Sequence, residues 1–147
     1  MPFGYHLMLD LYGCDERKMT DFGVCYDFLQ RIPAVIGTHK QSEPYLVKTD
    51  GERYPDKAGF SGWVPLVDSG VSIHTLDPMR FISIDVYTCK ELTPEVMESV
   101  KRYTRDAFDP EEWEEKFVLR GEKYGLTPEV IERRNQADRK ENKGLPS

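Results

Sequence analysis

The 147-residue sequence has few cysteines, no long apolar run and no surplus of basic residues. Its three cysteines, Cys14, Cys25 and Cys89, form an odd set without a Cys-x-x-Cys pair. This disfavours a disulfide framework and a structural zinc site, and it fits a reducing cytoplasm. The histidines add no metal-ligand spacing, so we expect no metal.

The absence of an apolar run of ~18 residues argues against a membrane span. The N-terminus shows neither the basic region nor the apolar core of a signal peptide. A formal net charge of −6 argues against nucleic-acid binding, which needs a clustered basic face. We therefore expect a cytoplasmic protein without a nucleic-acid or membrane partner. An apolar content of 39% supports a real core, and the length favours a single domain.

The periodicity of apolar residues predicts a mixed α and β fold. Alternation predicts strands at 5–12, 45–47, 63–67, 71–75, 81–89 and 116–119, and helical spacing predicts helices that begin at 20–21, 93 and 127. Pro33 is expected at the end of the first helix, and Pro65 suggests an edge strand or a bulge. The Glu-rich run 111–115 is typical of a solvated helix start. This order favours the α+β class, with an antiparallel sheet covered on one face by helices.

The stretch 66–75, followed by Cys89, carries the residues that could do chemistry. Ser69 could attack the carbonyl of Asp68 and turn the amide into an ester. A base would then remove the Ser69 α-proton, and elimination followed by hydrolysis would leave a pyruvoyl group. That route needs a strained peptide, a hydroxyl, a base and donors for the oxyanion. His74 could act as the base, and Cys89 could return a proton to a decarboxylated carbon.

Ser69 and His74 are five residues apart, so in a straight strand they would point to opposite faces. Bringing them together requires a bend, and Gly70 supplies the backbone freedom for one. Each residue also has an ordinary interpretation: a serine before glycine is usually a turn, a histidine on a strand is usually a hydrogen-bonded side chain, and a lone cysteine usually fills the core. Taken singly, these residues indicate a soluble α/β domain and no more.

The joint pattern of motifs is more specific. In order along the chain the motifs are Gly4-Tyr5-His6-Leu7, Tyr12-Gly13-Cys14-Asp15, Gly59-Phe60-Ser61-Gly62, Asp68-Ser69-Gly70, Ser72-Ile73-His74-Thr75, Asp85-Val86-Tyr87-Thr88-Cys89 and Arg120-Gly121. With these motifs, whose central members keep their intervals, the chain resembles the bacterial and archaeal S-adenosylmethionine decarboxylase family over roughly residues 4–125. We therefore expect a decarboxylase domain at 1–125, followed at 126–147 by a C-terminal helix and a charged tail that frays from residue 138.

The resemblance implies a role for each matching residue. Ser69 is the expected pyruvoyl precursor, and the bond between Asp68 and Ser69 is the expected cleavage site of the proenzyme. Ser61 is expected to assist processing and to line the site, His74 to be the processing base, and Cys89 to donate the proton after decarboxylation.

The resemblance also implies a fold and an activity. The expected fold is a two-layer α/β sandwich. The protein is expected to cleave itself into two chains, and the cleaved units are expected to form a homodimer with the active sites at the interface. The expected activity is that of a carboxy-lyase in polyamine (spermidine and putrescine) biosynthesis. Its covalent pyruvoyl group would form a Schiff base with the amine of a small amino-acid-type substrate.

Three departures from the family pattern bear on processing and on the substrate. Asp68 replaces a glutamate, which is a mild change, and Gly70 replaces a histidine, which removes an imidazole from the cleavage site. Pro78 stands where the family glutamate is expected to hold the ribose hydroxyls of S-adenosylmethionine. Losing a charge-assisted hydrogen bond costs on the order of 1.5–3 kcal/mol. The residues that make pyruvoyl are therefore better kept than those expected to bind the nucleoside.

Three functions remain open on this basis. The first is an S-adenosylmethionine decarboxylase with altered nucleoside contacts. The second is a family member that decarboxylates L-arginine or L-ornithine, in which Asp77 or Asp10 could meet a distal cationic group. The third is an uncleaved, non-catalytic regulatory paralogue, which the loss of the histidine at Gly70 suggests.

Overall fold

The computed structural model describes residues 2–124 and 128–144. Its strands are β1 (Gly4–Tyr12), β2 (Tyr45–Lys48), β3 (Phe60–Leu66), β4 (Ser69–Leu76), β5 (Phe81–Thr88) and β6 (Glu112–Arg120). Its helices are α1 (Glu16–Met19), α2 (Phe22–Ile36), α3 (Pro94–Phe108) and α4 (Pro128–Gly144). Short 3-10 turns lie at Pro55–Lys57 and Asp77–Met79.

The strands form one antiparallel sheet in the order β2-β3-β4-β5-β1-β6. Helices α2 and α3 pack against each other, and α2 lies on β3 and β4. The other face of the sheet carries no helix among the described residues, and we call it the open face. The predicted α+β sandwich, with helices on one side of an antiparallel sheet, is confirmed.

The core lies between the helices and the covered face of the sheet. Burial alternates along β5, so Ile82, Ile84 and Val86 are buried while the residues between them are half-exposed. The same alternation in β1 buries Leu7, Leu9 and Leu11. From the helices, the buried partners are Cys25, Phe28, Leu29, Ile32, Val100 and Phe108.

Both long helices begin at side-chain caps. The Asp21 carboxylate accepts the N–H of Val24 at 2.9 Å, and the Thr93 hydroxyl accepts the N–H of Val96 at 3.2 Å. Each cap satisfies a backbone donor that would otherwise lack an intrahelical partner. The predicted starts of these two helices are therefore correct.

Two predictions about prolines are wrong. Helix α2 continues past Pro33 to Ile36 and ends at Gly37, whose φ of 87° suits glycine and whose N–H donates to the Pro33 and Ala34 carbonyls. Strand β3 is not an edge strand, because it lies between β2 and β4. The short β2 pairs only with residues 60–63. Beyond its end, Pro65 meets only an isolated bridge, in which the Gln41 N–H donates to the Pro65 carbonyl at 2.9 Å, so the missing N–H interrupts no continuous ladder.

The Glu-rich run 111–115 also differs from expectation. It opens strand β6, which pairs with β1 along its whole length, rather than a helix. Trp113 faces α3, where the Arg105 guanidinium lies 4.1 Å from its ring centre. Pairing with the sheet has overridden the weak β preference of glutamate.

The predicted C-terminal helix is present as α4, although its predicted start at residue 127 lies outside the described residues. Helix α4 ends at Gly144, residues 145–147 lie outside the described ranges, and the fraying from residue 138 stays a prediction. The division into 1–125 and 126–147 stays a prediction. No helix within residues 2–124 and 128–144 is long and apolar enough to cross a membrane.

Candidate active site

The predicted cleavage site lies in the two-residue turn between β3 and β4. Leu66 and Ser69 pair across the hairpin, so Val67 and Asp68 form the turn. The φ angle of Ser69 is 142°, a value that residues other than glycine rarely adopt and that costs on the order of 1–3 kcal/mol. The peptide next to Ser69 is therefore strained, as the cleavage chemistry requires.

Asp68 is held by hydrogen bonds from two residues. The backbone N–H of Cys89 donates to the Asp68 carbonyl oxygen at 2.7 Å. The Asp68 carboxylate accepts the Thr38 hydroxyl on Oδ2 at 2.6 Å and the Cys89 thiol on Oδ1 at 3.7 Å. We call Thr38, Asp68 and Cys89 the Asp68 cluster. The carbonyl that Ser69 would attack already faces a backbone donor, which is the arrangement a developing oxyanion needs.

Cys89 follows the last residue of β5 and is exposed, whereas Cys14 and Cys25 are buried. Partial desolvation, the negative charge of Asp68 and the hydrogen bond to its carboxylate raise the pKa of the Cys89 thiol above its ordinary value. A thiol with a raised pKa stays protonated at neutral pH and is a poor nucleophile. Its state fits a proton donor.

His74 and Ser61 lie together, away from the Asp68 cluster. They are direct cross-strand neighbours on the open face, and Ser83 is the neighbour of His74 on the other side. Five residues separate Ser69 from His74 along β4, which is about 16 Å at the usual rise of a strand. Within one chain, the structure therefore brings Ser69 to Cys89 but not to His74 or Ser61.

The bend expected at Gly70 is absent. Strand β4 runs without interruption from Ser69 to Leu76, and Gly70 pairs with both Pro65 and Tyr87. The change of direction is made one residue earlier, by the turn at 67–68, and by the unusual backbone of Ser69 itself.

The side chain of Trp63 leaves no room for a larger residue at position 70 unless the indole moves. A Cβ atom at Gly70 would lie 2.4 Å from Nε1 and 3.1 Å from Cε2 of the indole, which occupies the space above the glycine. Nothing in the backbone angle of Gly70 requires glycine, so its conformational freedom is not what the fold uses. In this chain an aromatic side chain from β3 fills the place where an imidazole is expected at position 70.

This close contact predicts a coupled effect of two substitutions. We expect Gly70→His to lower the free energy of unfolding by about 1 kcal/mol, at the low end for overpacking because the indole is 50% exposed and can move. In a Trp63→Val background the same change should cost close to nothing. Urea denaturation followed by circular dichroism measures the free energy of unfolding of the wild type, the two single variants and the double variant. An equal loss of stability from Gly70→His in both backgrounds would show that the two positions are independent.

A cavity of about 440 Å³ opens on this face beside the cleavage site. Its lining residues come from four strands and are His6, Trp63, Ser69, Gly70, Ser72, Asp85 and Tyr87. At its β1 end, Nε2 of His6 lies 2.9 Å from Oδ1 of Asp85. The cavity offers a half-buried acid–base pair, two aromatic rings and Ser69 itself to a bound molecule.

Sequence reasoning missed several of these residues. His6 and Tyr87 stand in the family motifs, so the motifs were a signal that could have assigned them to the site. Thr38 and Trp63 had no such signal, because neither belongs to the functional motifs and their contacts with Asp68 and Gly70 depend on the fold.

The two predicted substrate carboxylates lie outside this cavity. Asp10 is on the open face of β1, in the same cross-strand row as Ser83 and His74. Asp77 lies beyond the end of β4, near Lys48, and its Oδ1 is buried without a hydrogen-bond partner among the described residues. Desolvation raises the pKa of the Asp77 carboxyl, partly opposed by Lys48. The structure does not bring Asp10 and Asp77 to one point.

Within residues 2–124 and 128–144, no group of three or more His, Cys, Asp or Glu side chains is arranged to hold a metal ion.

Comparison with known proteins identifies the family. The family profile described as S-adenosylmethionine decarboxylase matches residues 5–121, which include every strand except the first residue of β1. The chain belongs to the S-adenosylmethionine decarboxylase family. Membership makes it a carboxy-lyase of a group whose proenzymes serve polyamine biosynthesis.

Individual relatives include two activities. An S-adenosylmethionine decarboxylase proenzyme from Clostridium botulinum (strain Loch Maree / Type A3) is 28% identical over 88 residues, which is 60% of this chain and 70% of that protein. An arginine decarboxylase proenzyme from Pyrobaculum arsenaticum is 31% identical over 90 residues, which is 60% of this chain and 63% of that protein.

A solved structure shares the fold. The crystal structure of the adenosylmethionine decarboxylase from Aquifex aeolicus VF5 superposes with a TM-score of 0.68 at 25% identity and covers 82% of this chain and 92% of that chain. The antiparallel sheet with its helices is thus the fold of a known member of the family.

Proposed function

We propose that this family member is a self-processing, pyruvoyl-dependent decarboxylase, in which the bond between Asp68 and Ser69 is cut and Ser69 becomes the cofactor. One observation carries the proposal. The strained Ser69 follows a carbonyl that already accepts a backbone N–H from Cys89, so nucleophile, strain and oxyanion donor meet at one peptide bond.

The chain's own residues account for the cut. Ser69 Oγ attacks the Asp68 carbonyl carbon, and the negative charge that develops on the carbonyl oxygen is met by the Cys89 N–H. Cleavage also releases the strain that the φ of 142° stores at Ser69. These features fit the formation of a pyruvoyl group from Ser69.

When present, a pyruvoyl group supplies a ketone that joins to the substrate amine and accepts the electrons left by departing carbon dioxide. The role of Cys89 follows from its place beside the cut bond and from its protonated state. Its thiol hydrogen-bonds the carboxylate of Asp68, the residue before the cut bond, at 3.7 Å, so Cys89 is the proposed donor of the proton that replaces the lost carboxylate.

A second copy of the chain completes the site in this proposal. Ser61 and His74 lie on the open face about 16 Å along the strand from Ser69. A copy placed face to face, with its strands running the opposite way, would set its His74 and Ser61 over the cavity of the first chain that Ser69 lines. Twofold symmetry makes the exchange reciprocal and gives two equal sites, which supports a homodimer of cleaved units.

The composition of the open face supports such an interface. This face of the sheet carries apolar side chains that remain partly exposed: Met8, Tyr45, Val47, Trp63, Phe81, Tyr87 and Val118. One uncovered sheet face with this much apolar surface is typical of a protein–protein contact. The predicted cytoplasmic location remains part of the proposal, since all three thiols are unpaired.

Two substrate classes are supported by different observations. S-adenosylmethionine is favoured by the family and by the Clostridium relative, and its decarboxylation would feed spermidine synthesis. L-Arginine or L-ornithine is favoured by Pro78, which cannot bind ribose hydroxyls as a carboxylate would, and by the arginine decarboxylase relative. The amine and carboxylate that react are the same in each.

An intact mass spectrum of the purified protein tests the proposal. We expect two fragments, residues 1–68 and 69–147, and a mass increase on the larger fragment alone after cyanoborohydride is added with the true substrate. S-adenosylmethionine, L-arginine and L-ornithine are compared. The corresponding decarboxylated amines are the controls, because they show how much of any amine is attached to the ketone without decarboxylation. A chain that stays whole under every condition would contradict the proposal and indicate a non-catalytic paralogue.

A further inference from the structure

Thr38 lies in the loop after α2 and belongs to none of the functional motifs, yet it makes the shortest contact in the Asp68 cluster. It is only 7% exposed, and its hydroxyl donates to Oδ2 of Asp68 at 2.6 Å. A hydrogen bond to an ionised carboxylate is roughly twice as strong as one between neutral groups. Its own backbone is fixed as well, because the Thr38 N–H donates to the Pro33 carbonyl at 2.9 Å.

The two oxygens of the Asp68 carboxylate serve different partners. Oδ2 accepts the Thr38 hydroxyl, which leaves Oδ1 to accept the S–H of Cys89 at 3.7 Å. A carboxylate held at both oxygens cannot rotate freely, so the direction of the thiol hydrogen is set by the Thr38 hydroxyl at the far side of the carboxylate.

We propose that Thr38 is a positioning residue, which acts through the Asp68 carboxylate to hold the Cys89 thiol in the orientation for proton delivery. The inference rests on the proposed function, in which Cys89 is the proton donor. It adds a residue thirty positions before the cleavage site that touches neither the substrate nor the reacting atoms.

Cleavage makes this contact more important. Once the bond after Asp68 is cut, Asp68 becomes the last residue of the smaller fragment and loses its covalent link to β4. The Cys89 N–H and the Thr38 hydroxyl are then its tethers, together with the bond from the Val67 N–H to the His39 carbonyl at 3.0 Å. Thr38 therefore keeps the carboxylate beside the thiol when the enzyme works.

The charges around the thiol point the same way. Desolvation raises the pKa of the Cys89 thiol most, and the negative charge of Asp68 and the hydrogen bond to its carboxylate raise it further. Lys90, the next residue along the chain, donates from its ammonium group to the Gly37 carbonyl and is not among the groups that shift the pKa of the thiol. Removing the influence of Asp68 should therefore let the thiol ionise at a lower pH.

The pH dependence of alkylation by iodoacetamide tests the contact without needing activity. Cys14 and Cys25 are fully buried, so the exposed Cys89 dominates labelling, which intact mass resolves. The pKa of the Cys89 thiol is measured in this way on the uncleaved Ser69→Ala chain. The reference pKa should lie above the ordinary value of about 8.5. Asp68→Asn should lower it toward that value without reaching it, because desolvation of the thiol remains, and Thr38→Val should lower it by less.

Matched variants distinguish an effect of the Thr38 hydroxyl on the thiol from a general disturbance of the structure. Thr38→Ser keeps the hydroxyl and should restore the reference pKa. Thr104→Val removes another buried hydroxyl, which bonds within α3, and Asp56→Asn removes the same charge from an exposed turn. Neither control should move the thiol pKa. An unchanged thiol pKa in Thr38→Val would overturn the inference, whether or not Asp68→Asn changes it.

The Ser69-intact protein supplies the second readout. Thr38→Val should cleave, lower kcat about three- to tenfold with little change in KM, and move the alkaline limb of the kcat profile to lower pH. A wild-type chain that is cut and active while Thr38→Val keeps the reference thiol pKa and kcat would refute the positioning role alone. A wild-type chain that never cleaves would refute the proposed function, whatever the alkylation shows.

Discussion

Ser69→Ala is expected to leave one uncut chain of 147 residues with no decarboxylase activity. The variant lacks the hydroxyl that attacks the Asp68 carbonyl and the atom from which the cofactor is made, so no second residue can replace it. The decarboxylation rate should fall by at least about 10³-fold, in line with the loss of a covalent nucleophile. Intact mass and release of carbon dioxide from labelled substrate measure the two losses separately.

The fold should survive this change. Alanine at position 69 experiences the same positive φ as serine, so its backbone strain is unaltered, and the hydrogen bonds of Asp68 to Thr38 and Cys89 do not involve the lost hydroxyl. Thermal unfolding should therefore match that of the uncleaved wild-type proenzyme. Ser99→Ala, on the exposed side of α3, is the control and should cleave normally. Decarboxylation by Ser69→Ala would refute the pyruvoyl mechanism.

Most of the fold could be predicted from the sequence because most of it is local. Alternation in Ile82, Ile84 and Val86 sets one face of β5, and caps at Asp21 and Thr93 set the starts of two helices. The failures are places where pairing outweighs local preference. The glutamates of β6 join β1, and Pro65 is tolerated in an inner strand because β2 ends before it.

The site could be predicted only as a set of residues, not as an arrangement. The motifs placed Ser69, Cys89, His74 and Ser61 on the chain, but a single chain brings only the first two together. The separation follows from the uninterrupted course of β4, along which His74 lies five residues from Ser69. The contacts that hold the cleavage site, such as that of Thr38 with Asp68, join residues far apart in sequence and leave no periodic signal.

Co-expression of Ser69→Ala chains with His74→Ala chains is expected to restore about a quarter of the wild-type activity. Each variant alone should be uncut and inactive, the first for want of the nucleophile and the second for want of the base. In a mixed dimer, one site combines Ser69 of one chain with His74 of the other, while the second site lacks both. Random pairing makes about half of the dimers mixed, and one site in two is then intact.

The fragments identify which chain is cut, and so show whether His74 acts on Ser69 of its own chain or of the partner chain. With a different affinity tag on each variant, only the His74→Ala chain should appear as residues 1–68 and 69–147, because it alone keeps Ser69. The Ser69→Ala chain should remain whole in the same dimer. As a control, the double variant Ser69→Ala/His74→Ala supplies no base, so its co-expression with His74→Ala should leave every chain uncut. Cleavage of His74→Ala on its own would show that His74 is not the base. A mixed dimer that stays uncut would show that His74 does not act across an interface, since no geometry within one straight β4 brings it to Ser69.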